Sequence, residues 1–84
     1  MKAIVINEDN HGFIGLAVNY SRAIDFLVQE NWLDGNTKIW IDHRGYCLLK
    51  QIFPNWYEEI KSWDIKKFNE FFDYIFYLEP MELY

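Results

Sequence analysis

This chain must build its core from rings. It has 84 residues and one cysteine, Cys47, so no intrachain disulfide can staple it. A domain of that size buries only about 60% or slightly more of its unfolded surface. Against that shortage stand seven Phe, six Tyr and four Trp, 20% of the residues, and each such ring can bury roughly 150–250 Å². Rings and acid converge in the stretch from Phe68 to Tyr84. There Phe68, Phe71, Phe72, Tyr74, Phe76, Tyr77 and Tyr84 are interspersed with Glu70, Asp73, Glu79 and Glu82, without one Lys or Arg. The stretch reads as a core-forming element whose exposed side is acidic.

Ahead of it, Ala3-Ile4-Val5-Ile6 and the run from Phe13 to Val18 flank a turn-rich loop over 7–12, which predicts a β-hairpin. Near-continuous apolar character predicts a strand placed centrally or covered on both faces. Gly15 within the second run fits a bulge or a close backbone approach. Asn19 or Ser21 then caps a helix to about Trp32, and Gly35 supplies the left-handed residue that stops it. Phe26 lies off the apolar stripe beside Arg22 and Gln29 and is expected to be exposed. Residues 37–42 alternate with a period of two, and His43-Arg44-Gly45 with Tyr46 to Lys50 completes a second hairpin. A short helix from Tyr46 to Phe53 is the competing reading.

Pro54 and Asn55 introduce a helix with Trp56, Ile60 and Trp63 on one face, and Asp64 caps another whose stripe is Ile65, Phe68 and Phe72. The β-forming run over 74–78 predicts a final strand after Asp73, the alternative being helix to Tyr77. Pro80 puts that strand at an edge or ends it. The expected fold is therefore a single small α+β domain over 1–84: an antiparallel sheet of roughly four or five strands with two or three helices packed on one face.

Charge and spacing exclude several functions. Thirteen acidic residues against eight basic ones give a net charge of −5. The basic residues are scattered, which argues against direct nucleic-acid binding and against anionic membrane surfaces. No run approaches the ~18 apolar residues of a membrane span. The apolar run at Ala3–Ile6 is shorter than the roughly 7–15 residues of a signal peptide, so a cytoplasmic location is expected. Glu8, Asp9 and His11 carry metal-compatible atoms, but their spacing matches no calcium or zinc loop and is common in turns. His43 and Cys47, with Asp42 orienting the imidazole, could form a nucleophile–base pair. Gly45 between them and the hairpin reading send the two side chains to separate strands, and a Cys beside Leu48 and Leu49 is usually a small buried hydrophobe. Glu58 and Glu59 diverge by about 100° around a helix. The glycines stand singly, so no phosphate loop is present. No catalytic residue, metal site or cofactor is expected, and the protein is not expected to be an enzyme.

What remains is binding. The rings Phe26, Trp40 and Tyr77, together with Glu70, Asp73, Glu79 and Glu82, are the candidate partner-binding residues. Aromatics are enriched at interface hot spots, and acids steer a basic partner. The expected function is a non-catalytic protein-binding module whose partner is a protein with a basic or nucleic-acid-binding surface; mimicry of DNA is a sharper version. One alternative is a homo-oligomer, a homodimer among them, paired through the final strand. A lesser one is a small enzyme using Cys47 and His43. The plainest role for the acids is solubility.

Two stretches carry a resemblance: Ala23-Ile24-Asp25-Phe26-Leu27 through Glu30-Asn31-Trp32-Leu33-Asp34, and Trp63-Asp64-Ile65-Lys66-Lys67-Phe68-Asn69-Glu70-Phe71-Phe72-Asp73. They resemble short uncharacterised acidic proteins of Gram-positive bacteria and their phages. In size, acidity and ring content the chain is also similar to phage-encoded inhibitors such as anti-CRISPR proteins. That likeness implies a phage or mobile-element regulator or inhibitor acting on a bacterial protein. It assigns no site residue.

Overall fold

Apolar side chains at 3 and 5 as well as at 4 and 6 demand cover on both faces, and the first strand, Lys2–Glu8 (β1), is central in its sheet. The computed structural model describes residues 2–43, 45–73 and 75–82. β1 pairs antiparallel with Gly12–Ala17 (β2) on one side and with Phe76–Glu82 (β5) on the other. Both readings of Gly15 hold. Ile6 faces Gly15 while Asn7 faces Phe13, so Ile14 is the extra residue of a bulge. A Cβ on Gly15 would sit 2.5 Å from the ring tip of Phe26. Phe26 is accordingly half-buried and packs on the core, not exposed as its helical position suggests. The missing side chain at Gly15 leaves the slot that its ring fills.

Helix α1 spans Tyr20–Gln29, and the Asn19 side chain accepts a hydrogen bond from the Arg22 N–H. Its stop lies earlier than expected. Asn31 takes φ 63°, its N–H donates to Val28 C=O, and the Trp32 N–H donates to Leu27 C=O. This is a Schellman ending with Asn in the glycine role, so Gly35 has no part in it and Trp32 lies outside the helix. Lys38–Ile41 (β3) and Gly45–Leu48 (β4) form the second hairpin. Both readings of 46–53 are partly right: the strand ends at Leu48 and Leu49–Ile52 (α2) is helical. The switch is made by Gln51, whose side chain accepts from the Leu48 N–H at 2.9 Å. Trp56–Lys61 (α3) follows Asn55, whose side chain makes no capping bond. Ile65–Phe71 (α4) begins at Asp64, which accepts from the Lys67 N–H as expected. Of the run over 74–78, Tyr74 lies outside the described residues.

The expected single sheet is not formed. Among the described residues the strands divide into a three-stranded sheet, β2-β1-β5, and the separate two-stranded β3–β4, with four helices. One of the two edges of the larger sheet is closed, at β5. Leu78 turns its N–H and C=O away from β1 into the side-chain amide of Asn69, and Pro80 has no N–H to offer a further strand. The β3–β4 hairpin instead ties to the loop before it, with Leu49 N–H donating to Thr37 C=O and Lys50 N–H to Gly35 C=O.

The core lies on one face of the three-stranded sheet. Ile4, Ile6, Phe76 and Leu78 meet Ala23, Ile24 and Leu27 of α1, Ile60 of α3, and Phe68 and Phe72. Phe68 and Phe72 are fully buried, with ring centroids 4.6 Å apart. No helix among the described residues is long and apolar enough to cross a membrane.

Candidate functional site

Alternation along β3 turns Ile39 inward and leaves Trp40 outside. The short loop pairs Trp40 with Tyr46 across the hairpin, and the two exposed rings meet edge to face at 5.1 Å. On the other side, α4 ends in a tight turn in which the Ile75 and Phe76 N–H groups both donate to Phe72 C=O. That turn presents Asp73, one helical turn beyond Glu70. The β1–β2 turn is drawn to the same place, because the Asp9 N–H donates to Ile75 C=O at 3.0 Å.

These three features enclose a groove of about 690 Å³. Trp40 and Tyr46 form one wall, Phe71 and Ile75 contribute apolar surface, and Asp9, Asp42, Glu70 and Asp73 line it with carboxylates. A smaller recess of about 160 Å³ adjoins it, sharing Asp9, Asp73 and Ile75 and extending to Asn7 and Tyr77. Aromatic faces carry negative charge, so rings and carboxylates together favour a cation.

Of the residues singled out in the sequence, the groove brings together Trp40, Glu70 and Asp73, and Tyr77 lines the adjoining recess. The other three lie elsewhere. Phe26 is committed to Gly15, Glu79 sits opposite Val5 on the sheet, and Glu82 is at the end of β5 opposite Lys2. Sequence reasoning missed Tyr46, Asp9 and Asp42 as lining residues. Tyr46 was within reach: a loop of three residues between Ile41 and Gly45 fixes it as the cross-strand partner of Trp40. Asp9 and Asp42 were not: the bond that draws Asp9 in reaches Ile75, far along the chain, and Asp42 meets the other carboxylates only through the packing of the hairpin opposite the α4–β5 turn.

The chemical candidates have other partners. Cys47 Sγ donates to Gln51 Oε1 at 3.3 Å, and His43 occupies the hairpin turn with φ 65°. Glu8 Oε1 accepts from the backbone N–H of Asn10 and of His11, both at 2.9 Å, and meets His11 Nδ1 at 2.7 Å. Burial pushes the Glu8 carboxyl up, but these bonds outweigh it and hold the group below the usual carboxylate range. The cluster closes the turn, and the His11 ring rests edge-on against Trp32. Among the described residues no group of three or more His, Cys, Asp or Glu is arranged to hold a metal ion.

An ion pair lies outside the groove, between α1 and α3. Lys61 Nζ donates to Asp25 Oδ1 at 2.8 Å and Tyr57 donates to the same oxygen at 2.5 Å. The bonds from Lys61 and Tyr57 hold the Asp25 carboxyl below its ordinary value, and the Asp25 bond raises Lys61.

Compared with protein-family models, with curated proteins and with solved structures, the chain matches none.

Proposed function

We propose that this protein is a non-catalytic binding module that seats a Lys- or Arg-rich segment of another protein in the groove between the β3–β4 hairpin and the α4–β5 turn. The observation that carries this reading is the coincidence of an exposed Trp40–Tyr46 pair with four carboxylates in one groove. A guanidinium against the rings gains cation–π attraction, and the carboxylates supply acceptors and steer the approach. The expectation of a phage or mobile-element inhibitor adds a target class: a bacterial protein whose own basic surface binds nucleic acid, with the groove's acids standing in for phosphates.

The two alternatives fare differently from this reading. Pairing of β5 with its own copy meets an edge occupied by Asn69 and interrupted by Pro80. An enzyme using Cys47 and His43 would need the thiol that now donates to Gln51.

The test is fluorescence anisotropy with a labelled Lys/Arg peptide and an acidic peptide as control. The basic peptide should bind and the acidic one should not. Trp40→Ala should weaken binding by about 0.5–2 kcal/mol, roughly twofold to thirtyfold. Equal affinity for both peptides, or indifference to Trp40→Ala, overturns the reading.

A further inference from the structure

An antiparallel sheet with helices on one face normally shows polar side chains on the other. Here six of the eight side chains in three outward rows are apolar or aromatic, Asn7 and Glu79 being the others. Cross-strand register places Leu16, Val5 and Glu79 in one row, Phe13, Asn7 and Tyr77 in the next, and Ala3 with Met81 in a third. Phe13, Leu16, Tyr77 and Met81 are 62%, 53%, 54% and 43% exposed. Ala3 and Val5 are buried yet stand outside the core cluster. Large apolar side chains exposed together on one sheet face mark a contact site.

Charge and connectivity select what covers it. The face carries Glu79 in its middle row, on the edge strand β5, and the chain as a whole has a net charge of −5, so a second copy would bring like charge together. Extension of the sheet past β5 is closed by Asn69 and Pro80. The face also runs into the groove. Asn7 and Tyr77 belong to its rows and line the recess that shares Asp9 and Asp73 with the groove.

We infer that the open sheet face and the acidic groove form one bipartite docking surface, for a partner segment in which basic residues are followed by an apolar stretch. This rests on the groove reading given above. The basic residues occupy the groove, Tyr77 is the contact shared by both parts, and apolar side chains lie over Val5 between Leu16 and Met81. A cation on the apolar stretch meets Glu79.

Three labelled peptides test this: a Lys/Arg peptide, an apolar peptide, and the two joined through Gly. The joined peptide should bind the protein roughly tenfold or more tighter than the basic one, since added apolar contact strengthens binding. Leu16→Thr with Met81→Thr, which keeps strand-forming residues, should erase that gain and leave the basic peptide's affinity unchanged. A joined peptide that binds no tighter, or a gain that survives the two substitutions, overturns the inference. Absence of binding by the basic peptide alone is failure of the groove reading, and it is read in a separate arm. A dimer in sedimentation equilibrium that Leu16→Thr returns to monomer overturns the choice of occupant.

Discussion

Asn69 and Leu78 are joined by two hydrogen bonds: the Leu78 N–H donates to Asn69 Oδ1 at 2.8 Å, and Asn69 Nδ2 donates to Leu78 C=O at 2.9 Å. A helix side chain thus takes the place of a neighbouring strand at the outer edge of β5. Open edges pair with other chains, so this amide both fastens α4 to the sheet and covers its β5 edge. Asn69→Ala should cost about 1–3 kcal/mol by leaving two partly buried groups unpaired, and should increase self-association. Urea denaturation and sedimentation velocity measure the two effects. Unchanged stability with an unchanged monomer would contradict this role.

The aromatic core makes a second prediction. Phe68→Ala and Phe72→Ala should each destabilise by about 3–5 kcal/mol, the usual cost of emptying a buried Phe site. Their rings touch, so the double variant should lose less than the sum of the two. Losses below about 1 kcal/mol at both sites would remove them from the core.

Gly15 and Phe26 supply a third. Gly15→Ala drives a methyl into the Phe26 ring and should cost about 1–3 kcal/mol. Phe26→Leu shortens the side chain, so Gly15→Ala should cost less in that background. A double-mutant cycle measures the coupling; strictly additive losses would mean that the close approach is harmless.

The Asp25–Lys61 pair sets a pH dependence. A carboxyl lowered on folding contributes above its unfolded pKa near ~3.9, and the contribution is lost as pH falls through the folded value. A raised amine contributes below its unfolded pKa near ~10.4, and its share is lost as pH rises through the folded value. The pair's contribution is therefore level between those limits and falls away outside them. Its side chains are 23% and 24% exposed, so solvent screening holds the contribution to about 0.2–1 kcal/mol. Asp25→Asn should lower stability by that amount near pH ~7, with the deficit shrinking below pH ~4. A deficit that grows on acidification would reverse the sign.

Local signals hold where local physics decides, apart from Asn55, whose side chain makes no capping bond. The caps at Asn19 and Asp64, the β-branched run of β1, and the stripe of Phe68 and Phe72 all formed as their spacing predicts. The split into two sheets was not legible: a side-chain amide, Asn69, covers the β5 edge, and nothing near residue 69 announces that role. Phe26 was misplaced because helical periodicity does not register a glycine slot on another element. Asn31 ended α1 ahead of Gly35 because Asn also tolerates the left-handed conformation. The candidate site was half legible: exposed rings and acids stood out by type, but which of them share a groove depends on two turns meeting across the fold.

The most direct test of the groove is the association rate of the Lys/Arg peptide, followed by stopped-flow fluorescence at low and high ionic strength, for the natural protein and for Glu70→Lys with Asp73→Lys. Steered association exceeds the unsteered rate by about 10-fold or more and weakens as salt shortens the Debye length, ~10 Å at 0.1 M. The natural protein should therefore bind fast at low salt and slow markedly at high salt, whereas the charge-reversed variant should bind slowly at both, with its stability nearly unchanged. An on-rate indifferent to the two substitutions and to salt would contradict the claim that these carboxylates recognise a basic partner.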